Sequence, residues 1–316
     1  MVQENNKAID ISIIIVNYNA FELLDDCISS LINKTKDVSY EIIVVDNNSD
    51  EGDIKEVIDK YKNIILIQND TNRGFAYANN QAINIAKGKY LLFLNNDVLF
   101  IENSLKKIFE YAETLEGNVF IGCRLFNSDL SVQESISRFP SVWNIFTESV
   151  FIYRLFKRST LLNKYYQNYI RVEKPFEVDV IKGAFIFCTK DSVLQLNGFD
   201  ERFFFYSEEV DLCLRHRKIG GRNIFYPLTS VIHYEGKNDS KNRWFYFKNL
   251  MLSKIQFYQK HFSSLQFFFA QVFQYLGILL RIPVYIALGL ISWNRMFLQK
   301  SWYYLRLLFV YTRNKF

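Results

Sequence analysis

The sequence predicts an α/β fold, a mostly parallel sheet flanked by helices, with a helical extension at its C-terminal end. Short apolar runs alternate with segments of helical spacing through residues 11–97. That rhythm builds parallel sheets with right-handed crossovers. Three of the runs stop at small polar clusters: Asn17 and Asn19, Asp46 and Asn48, and Asn95, Asn96 and Asp97. The extension is set apart by charge. Residues 240–316 hold eleven Lys and Arg and no acid, so the net charge of +5 divides into about +11 for this tail and about −6 for the rest. The expected division is one α/β domain over residues 1–238 and a basic, aromatic tail over residues 239–316.

Residues 11–16 form a first strand, buried on both faces. Residues 21–35 follow helical spacing, with Leu23, Leu24, Cys27, Ile28, Leu31 and Ile32 on one side. Residues 41–45 are a second strand, 54–61 a second helix and 64–67 a third strand. A loop over 71–75 carries the turn residue Gly74, and 76–86 are a third helix. The run from Tyr90 to Asp97, entered after Gly88, is the next strand. Residues 104–113 continue as a helix and 119–126 as a strand. From 138 to about 174 the pattern loosens into an excursion of short helices. Residues 178–188 are strand-like around Gly183, and 191–196 are a short helix stopped at Asn197-Gly198. A helix opens at Glu208 and ends near Ile219, before Gly220-Gly221. Two short strands follow at 223–226 and 230–234.

A chain of 316 residues can bury a full core. Aromatic residues make up 17%, with 12 Gly and 4 Pro, which excludes disordered and collagen-like chains. Cys27, Cys123, Cys188 and Cys213 are scattered among apolar neighbours without CxxC spacing. They read as buried free thiols of a reducing compartment. The first residues are polar and acidic, so no secretory signal is expected. No GxGxxG follows Val16 and no GxxxxGK[ST] occurs, which argues against a dehydrogenase and a P-loop NTPase.

In open α/β sheets, ligands sit beyond the carboxyl ends of the strands. Asp97 is therefore the place for a divalent cation and a diphosphate, or else an Asx turn closes the strand there. If the three strands are neighbours, their polar ends share a crevice. Amides and a carboxylate suit a pyrimidine edge and a ribose, and Arg73 suits a base face or a phosphate; ordinary turn chemistry explains each cluster singly. Glu208, Glu209 and Asp211 are the densest acidic group. They open a helix, where acids complement the macrodipole, or they supply a general base whose pKa rises by crowding. Phe203–Tyr206 beside them is an apolar wall, a sugar platform or plain core. His233 is either structural or an imidazole partner to Asp97 on a metal. His216 and His261 have no such context.

Taken together, the motifs resemble the family 2 inverting glycosyltransferases of GT-A (Rossmann-like) fold, close to bacterial rhamnosyltransferases. The matching pieces are residues 14–19, 44–49, 72–79 and 91–97, then Gly183-Ala184-Phe185, residues 198–204 and 208–212, and His233. They fall in the family's order over roughly residues 10–240. The resemblance implies a UDP-, dTDP- or GDP-linked sugar donor, a glycan or lipid-linked glycan acceptor, and Mg²⁺ or Mn²⁺. It implies that Asp46 and Arg73 hold the base, with Asn17 and Asn19 lining the pocket and Asn48, Asn95 and Asn96 completing the donor site. Asp97 stands at the metal-binding end of a DxD-type motif, His233 at a further metal ligand and Glu209 at the catalytic base, with Glu208 and Asp211 beside it. Two departures stand out. The DxD equivalent has one carboxylate, and the base position, often Asp, is Glu, so Glu208 competes with Glu209 for the role. The implied chemistry is a single displacement at the anomeric carbon.

In the tail, residues 262–280 are a 19-residue run without charge, followed by Arg281, Pro283 and a second apolar run to Trp293. A spanning helix needs about 20 apolar residues, and Gln266, Gln271 and Gln274 interrupt this one. The pattern suits helices lying in the membrane interface on the cytoplasmic face, peripheral or with a single C-terminal anchor. Each Lys or Arg near anionic lipid adds about 1 kcal/mol. A homodimer surface or a helical cap are the alternatives. Nucleic acid is not expected as a partner, because the tail is too apolar and no nucleic-acid motif accompanies it. Two other functions remain open. A non-catalytic nucleotide-sugar or glycan-binding module would be favoured by loss of the acidic cluster, which is present. A sugar nucleotidyltransferase would need a glycine-rich basic loop where Asn17-Tyr18-Asn19 stands.

Overall fold

A computed structural model describes residues 8–156, 159, 162, 172–234 and 243–313. The elements in order are β1 (Ile11–Asn17), α1 (Phe21–Lys34), β2 (Tyr40–Asp46), α2 (Lys55–Ile58), β3 (Ile64–Gln68), α3 (Phe75–Ile85), β4 (Tyr90–Asn95), β5 (Val98–Phe100), α4 (Ser104–Glu113), β6 (Val119–Phe126), β7 (Val132–Gln133) and β8 (Ile136–Ser137). They continue as α5 (Val142–Ser149), α6 (Ile152–Leu155), β9 (Phe176–Glu177), β10 (Val180–Ile181), β11 (Phe185–Thr189), α7 (Lys190–Gln195), α8 (Glu208–Lys218), β12 (Arg222–His233), α9 (Arg243–His261), α10 (Ser264–Ser292) and α11 (Arg295–Arg313). The chain forms two compact units, one from residues 1–137 and 169–240, the other from residues 138–168 and 241–316.

The first unit is built on a mixed sheet ordered β3-β2-β1-β4-β11-β6-β12-β5. Its first four strands are parallel. β11 runs antiparallel to β4 and β6, and β5 antiparallel to β12. Both faces of β1 are buried: Ile11, Ile13 and Ile15 join Leu24, Cys27, Ile28 and Leu31 of α1, and the alternate residue Ile14 is also enclosed. Strands covered on both faces need continuous apolar runs, which is why β1, β2 and β4 stand out in the sequence. The four cysteines are buried free thiols. His216 is buried too, stacked on Phe120 with centroids 3.7 Å apart.

Several elements differ from expectation. The helix at 54–61 shrinks to Lys55–Ile58; its apolar residues Ile54, Val57 and Ile58 already fit in one turn. Residues 178–188 split into β10 and β11 around Lys182–Ala184. The two strands expected at 223–234 are one, β12, whose pairing with β6 shifts register between Tyr226 and Ser230. Pro227 lies in that gap, where a strand tolerates a residue that cannot donate to the ladder. The strand from Tyr90 ends at Asn95, and Asn96-Asp97 turns into β5. In the 138–174 excursion α5 and α6 are described; much of the remainder lies outside the described residues.

The second unit contains α5, α6, α9, α10 and α11. Along α10 the buried positions are Ala270, Gln274, Gly277, Ile278, Tyr285 and Gly289, one stripe at helical spacing. Leu265, Phe268, Phe269, Val272, Leu279, Leu290 and Ile291 are exposed. The helix thus hides a stripe containing polar residues and shows apolar ones, the inverse of a surface helix in water.

Gly74 is fixed by geometry. Its φ is +91°, and a Cβ there would collide with the backbone of Phe204. The same contact carries a hydrogen bond from Phe75 N to Phe204 O of 2.9 Å. Gly74→Ala is expected to cost roughly 1–3 kcal/mol. Gly117→Ala, also at positive φ (+79°) but with nothing within 4 Å, should cost less. Urea midpoints at unchanged m-value measure both; equal losses would show that the Phe204 contact is not what demands glycine.

Candidate active site

Register brings the polar strand ends together. β1 pairs Asn17 with Asp46 of β2, and Val16 with Asn95 of β4. Asn17 Nδ2 donates to Asp46 Oδ1 at 3.0 Å, and Asn96 Nδ2 donates to Asn17 Oδ1 at 2.9 Å. Ser49 completes the knot: its Oγ donates to Asp46 Oδ1 at 2.6 Å and its N to Asp46 Oδ2 at 3.0 Å. Each carboxylate oxygen can accept more than one bond, so Asp46 keeps acceptor capacity at Oδ2. Asn19 bridges to the same loop, its Oδ1 accepting from Asp50 N and Glu51 N. Asn48 is exposed at φ +66°. Three clusters read separately in the sequence are therefore one connected rim.

The loop before α3 adjoins this rim. Asn47 Nδ2 donates to Asn72 Oδ1 at 2.8 Å and to Gly74 O at 3.1 Å. Arg73 is half-exposed. Its guanidinium lies 3.4 Å from the centroid of Tyr77 and 4.0 Å from Glu201 Oε2.

β12 supplies the next component. His233 pairs with Val98, which sets its ring beside Asp97. His233 Nε2 stands 3.2 Å from Asp97 Oδ1 and 3.4 Å from Asn95 Nδ2. The tautomer follows from Gln133. Gln133 Nε2 donates to Asn127 Oδ1 and to His233 O, so its Oε1, 2.7 Å from His233 Nδ1, must accept. Nδ1 then carries a proton, and Nε2 either accepts from the Asn95 amide as part of a neutral ring or donates to Asp97 as imidazolium. Asp97 is buried, and apart from His233 Nε2 no donor reaches its Oδ1 among the described residues. With the ring neutral, Nε2 and Asp97 Oδ1 face each other as acceptors 3.2 Å apart, a pair that a cation would join. Among the described residues no group of three or more His, Cys, Asp or Glu could hold a metal alone. A cation at Asp97 and His233 would take further oxygens from a ligand.

The acidic helix reaches the same end of the sheet. Gly183 packs on the Glu209 side chain, with an added Cβ at ordinary contact distance, 3.6 Å. The next residue, Ala184, accepts at O from Asn95 N at 3.1 Å. Glu208 is 5% exposed and Glu209 less buried. Burial pushes Glu208 well above the usual carboxylate range, and the Glu209 charge adds to it. Burial raises Glu209 as well, opposed by Lys182 and by backbone N–H groups. Asp211 does not join them. It is fully buried and ion-paired at 2.7 Å to Arg215, which ties α8 to the carbonyls of Leu196 and Gly198.

Gln133 had no signal in the sequence, because its place depends on β7 pairing with β6. Asn47 and Ser49 lay inside a cluster already noted, but nothing in the sequence separated their loop-building roles from those of Asp46 and Asn48.

Comparisons with known proteins agree with this architecture. The profile of Glycosyl transferase family 2 matches residues 12–187. The chain is 27% identical over 230 residues to the rhamnosyltransferase WbbL of Escherichia coli (strain K12), covering 70% of this chain and 82% of that protein. It is 24% identical over 243 residues to the N-acetylglucosaminyl-diphospho-decaprenol L-rhamnosyltransferase of Mycobacterium tuberculosis, covering 73% and 78%. Among solved structures, GalNAc-T7 with UDP, GalNAc and Mn²⁺ aligns at a TM-score of 0.55 and 16% identity, over 80% of this chain and 50% of that one. At that identity the likeness is one of fold.

The raised Glu208 carboxyl has a consequence for stability. Its contribution is complete below the ordinary carboxylate pKa and is lost as pH rises through the raised folded value, because the unfolded chain releases the proton first. Glu208→Gln should therefore melt higher than the parent at about pH 8 and differ less at about pH 5, with roughly 2–4 °C gained per kcal/mol recovered. Calorimetry at the two pH values checks this; a lower melting point at the higher pH would contradict it.

Proposed function

The chain belongs to glycosyl transferase family 2 and is a glycosyltransferase of the GT-A fold, and on that premise we propose that it moves a sugar, of rhamnosyl type, from a nucleoside-diphosphate donor to a hydroxyl of a lipid-linked glycan, with inversion, in cell-surface polysaccharide assembly. The observation that carries the reading is the approach of His233 Nε2 to within 3.2 Å of the buried Asp97 Oδ1 at the strand ends. Asp97 and His233 would hold Mg²⁺ or Mn²⁺ there. When bound, such an ion supplies charge neutralisation for the leaving diphosphate.

The chain's own residues do the rest. Asn19, Asp46 and Asn48 form the floor for the donor base and ribose, Asn17 lies buried beneath them rather than lining the pocket, and Arg73 covers that base or a phosphate. Asn95 and Asn96 keep the strand end in place through their bonds to Ala184 and Asn17. Glu209 removes the proton of the acceptor hydroxyl. The freed oxygen pair forms the new bond at the anomeric carbon while the bond to the diphosphate breaks on the opposite face and its electrons leave with that group. A carboxyl raised by burial is the better base near neutral pH. Glu209 is favoured over Glu208 because it is the less enclosed of the two. Asp211 holds α8 through Arg215.

A lipid-linked acceptor is supported by the apolar face of α10 and by the acceptor in the mycobacterial relative's name. The enzyme would work on the cytoplasmic face of the membrane, with the residues 1–238 domain carrying the chemistry and the tail associating with lipid.

Glu209→Gln is expected to lose roughly 10²–10⁴-fold in transfer while binding nucleotide sugar as before by calorimetry. Near-normal turnover would remove Glu209 from the role. Gln133→Met, which removes the acceptor that fixes the His233 tautomer, should weaken Mn²⁺ binding by roughly 10–100-fold. Titration calorimetry with Mn²⁺ and the nucleoside diphosphate reads this without turnover, and ¹⁵N spectra of the imidazole report the tautomer. Unchanged affinity with an unchanged tautomer would leave Gln133 without that function.

A further inference from the structure

The second unit carries sixteen Lys and Arg against one acid, Glu148. Three of the cations, Arg154, Lys254 and Arg281, line one cavity of about 130 Å³ together with Glu148. Every described helix of the unit contributes to its wall.

The charges in the cavity do not balance. Lys254 Nζ lies 3.3 Å from Glu148 Oε1, so those two offset each other. Arg281 is held by carbonyls: Nη1 donates to Ser149 O and Gly277 O, and Nη2 to Glu148 O. Those bonds orient the guanidinium without neutralising it. Arg154 Nε donates to the Tyr153 hydroxyl at 3.0 Å. Among the described residues no carboxylate lies within salt-bridge distance of either guanidinium. The Phe151 ring sits near both, its centroid 4.6 Å from Arg281 Cζ and 5.5 Å from Arg154 Cζ. Phe151 itself stands at φ +63°, a conformation that costs a non-glycine residue about 1–2 kcal/mol. The turn it makes opens α6, which carries Arg154.

Arg281 is half-buried and Arg154 is exposed at the open side of the cavity, so the two cations present one wall that an anion can reach from solvent. A terminal phosphate carries about −1.5 to −2 near neutral pH, which matches two guanidiniums, and its oxygens fit their planar forks. A phosphodiester carries one negative charge and matches less well. The carrier is indicated by the unit's exterior: Phe268, Val272, Leu279 and Ile291 of α10 are exposed, a surface suited to acyl chains.

We propose that this cavity binds the terminal phosphate or diphosphate head group of a lipid. The proposal rests on the reading that the helical unit associates with a membrane.

The test is flotation of the full-length protein with phosphatidylcholine vesicles containing either phosphatidic acid or phosphatidylglycerol, matched in surface charge. Phosphatidic acid should retain more protein. Arg154→Gln should remove the preference, with a loss of roughly five-fold in affinity for about 1 kcal/mol per Arg. Arg295→Gln makes the same charge change at the start of α11, outside this cavity, and should keep the preference. Equal retention on both lipids, or equal effects of the two substitutions, overturns the site and leaves membrane association standing. Failure to float with either lipid overturns membrane association, and the lipid assignment with it. Inorganic pyrophosphate without vesicles is the remaining arm. If it raises the melting point through Arg154 while no lipid preference exists, the cavity belongs to a soluble phosphate compound and the proposal fails.

Discussion

Because β1 is bonded in parallel register to β2 on one side and β4 on the other, the three strands stop at one level. Asn17 lies opposite Asp46, and Asn95 opposite Val16. The groups that could grip a ligand are therefore fixed by the backbone ladder rather than by long loops. The apolar runs behind them serve the same end. With both faces of β1 covered, a slip of one residue would move a polar end into the core, so burial and register hold each other in place. Asn17, which has no exposure at all, sits at the centre, joined to Asp46 and Asn96 by its side chain.

A second constraint ties the loop bearing Arg73 to the helix bearing the carboxyls. Gly74 lies against the backbone of Phe204, and three residues later Ser207 opens α8 at φ +65°, after Tyr206 at +71°. Two consecutive non-glycine residues in the left-handed region are costly, and such conformations cluster where function requires them. Here they follow the segment packed on Gly74 and lead into the buried Glu208 and into Glu209, which packs on Gly183. The burial that raises these carboxyls is unfavourable for the fold at neutral pH, and the Asp211–Arg215 pair one turn further on anchors the helix that bears it.

The sequence made the sheet legible because strands covered on both faces must be apolar throughout, and their polar ends are conspicuous. Its reading of α8 was half complete. Glu208, Glu209 and Asp211 form one cluster on paper, but at about 100° per residue Asp211 turns away from Glu209. Arg215, four residues on, was a visible partner for it. Other features were beyond local pattern. His233 reaches Asp97 through pairing of β12 with β5; its residues alone left it either structural or a partner to Asp97, and the family resemblance placed it at a metal ligand. Gln133 sits on a two-residue strand whose meaning is its contact with His233, 100 residues away. The excursion from 138 to about 174 read as short helices, and its described helices α5 and α6 belong to the unit of the C-terminal helices. No linear reading reveals that its single acid would meet Lys254.

The second unit meets a solvation problem opposite to that of the first. In the first, apolar strands fill the interior and the buried acids gather at the strand ends and at the start of α8. In the second, the most apolar stretch of α10, at a mean hydropathy of 1.8, is only 22% buried, while Gln274, Arg281 and Glu148 turn inward. Water disfavours that arrangement on both counts, since it leaves apolar surface wet and places polar groups in a core. An interface with lipid reverses the first cost. Trp293, 92% exposed at the end of α10, and Trp302 of α11 are the kind of residue such an interface collects. The inward polar groups then need a reason of their own. Arg281 closes the carbonyls at the end of α5, which accounts for its hydrogen bonds but not for its charge or for that of Arg154 nearby. A bound anion would account for both, and it would make the interior of this unit a recognition site as well as a scaffold.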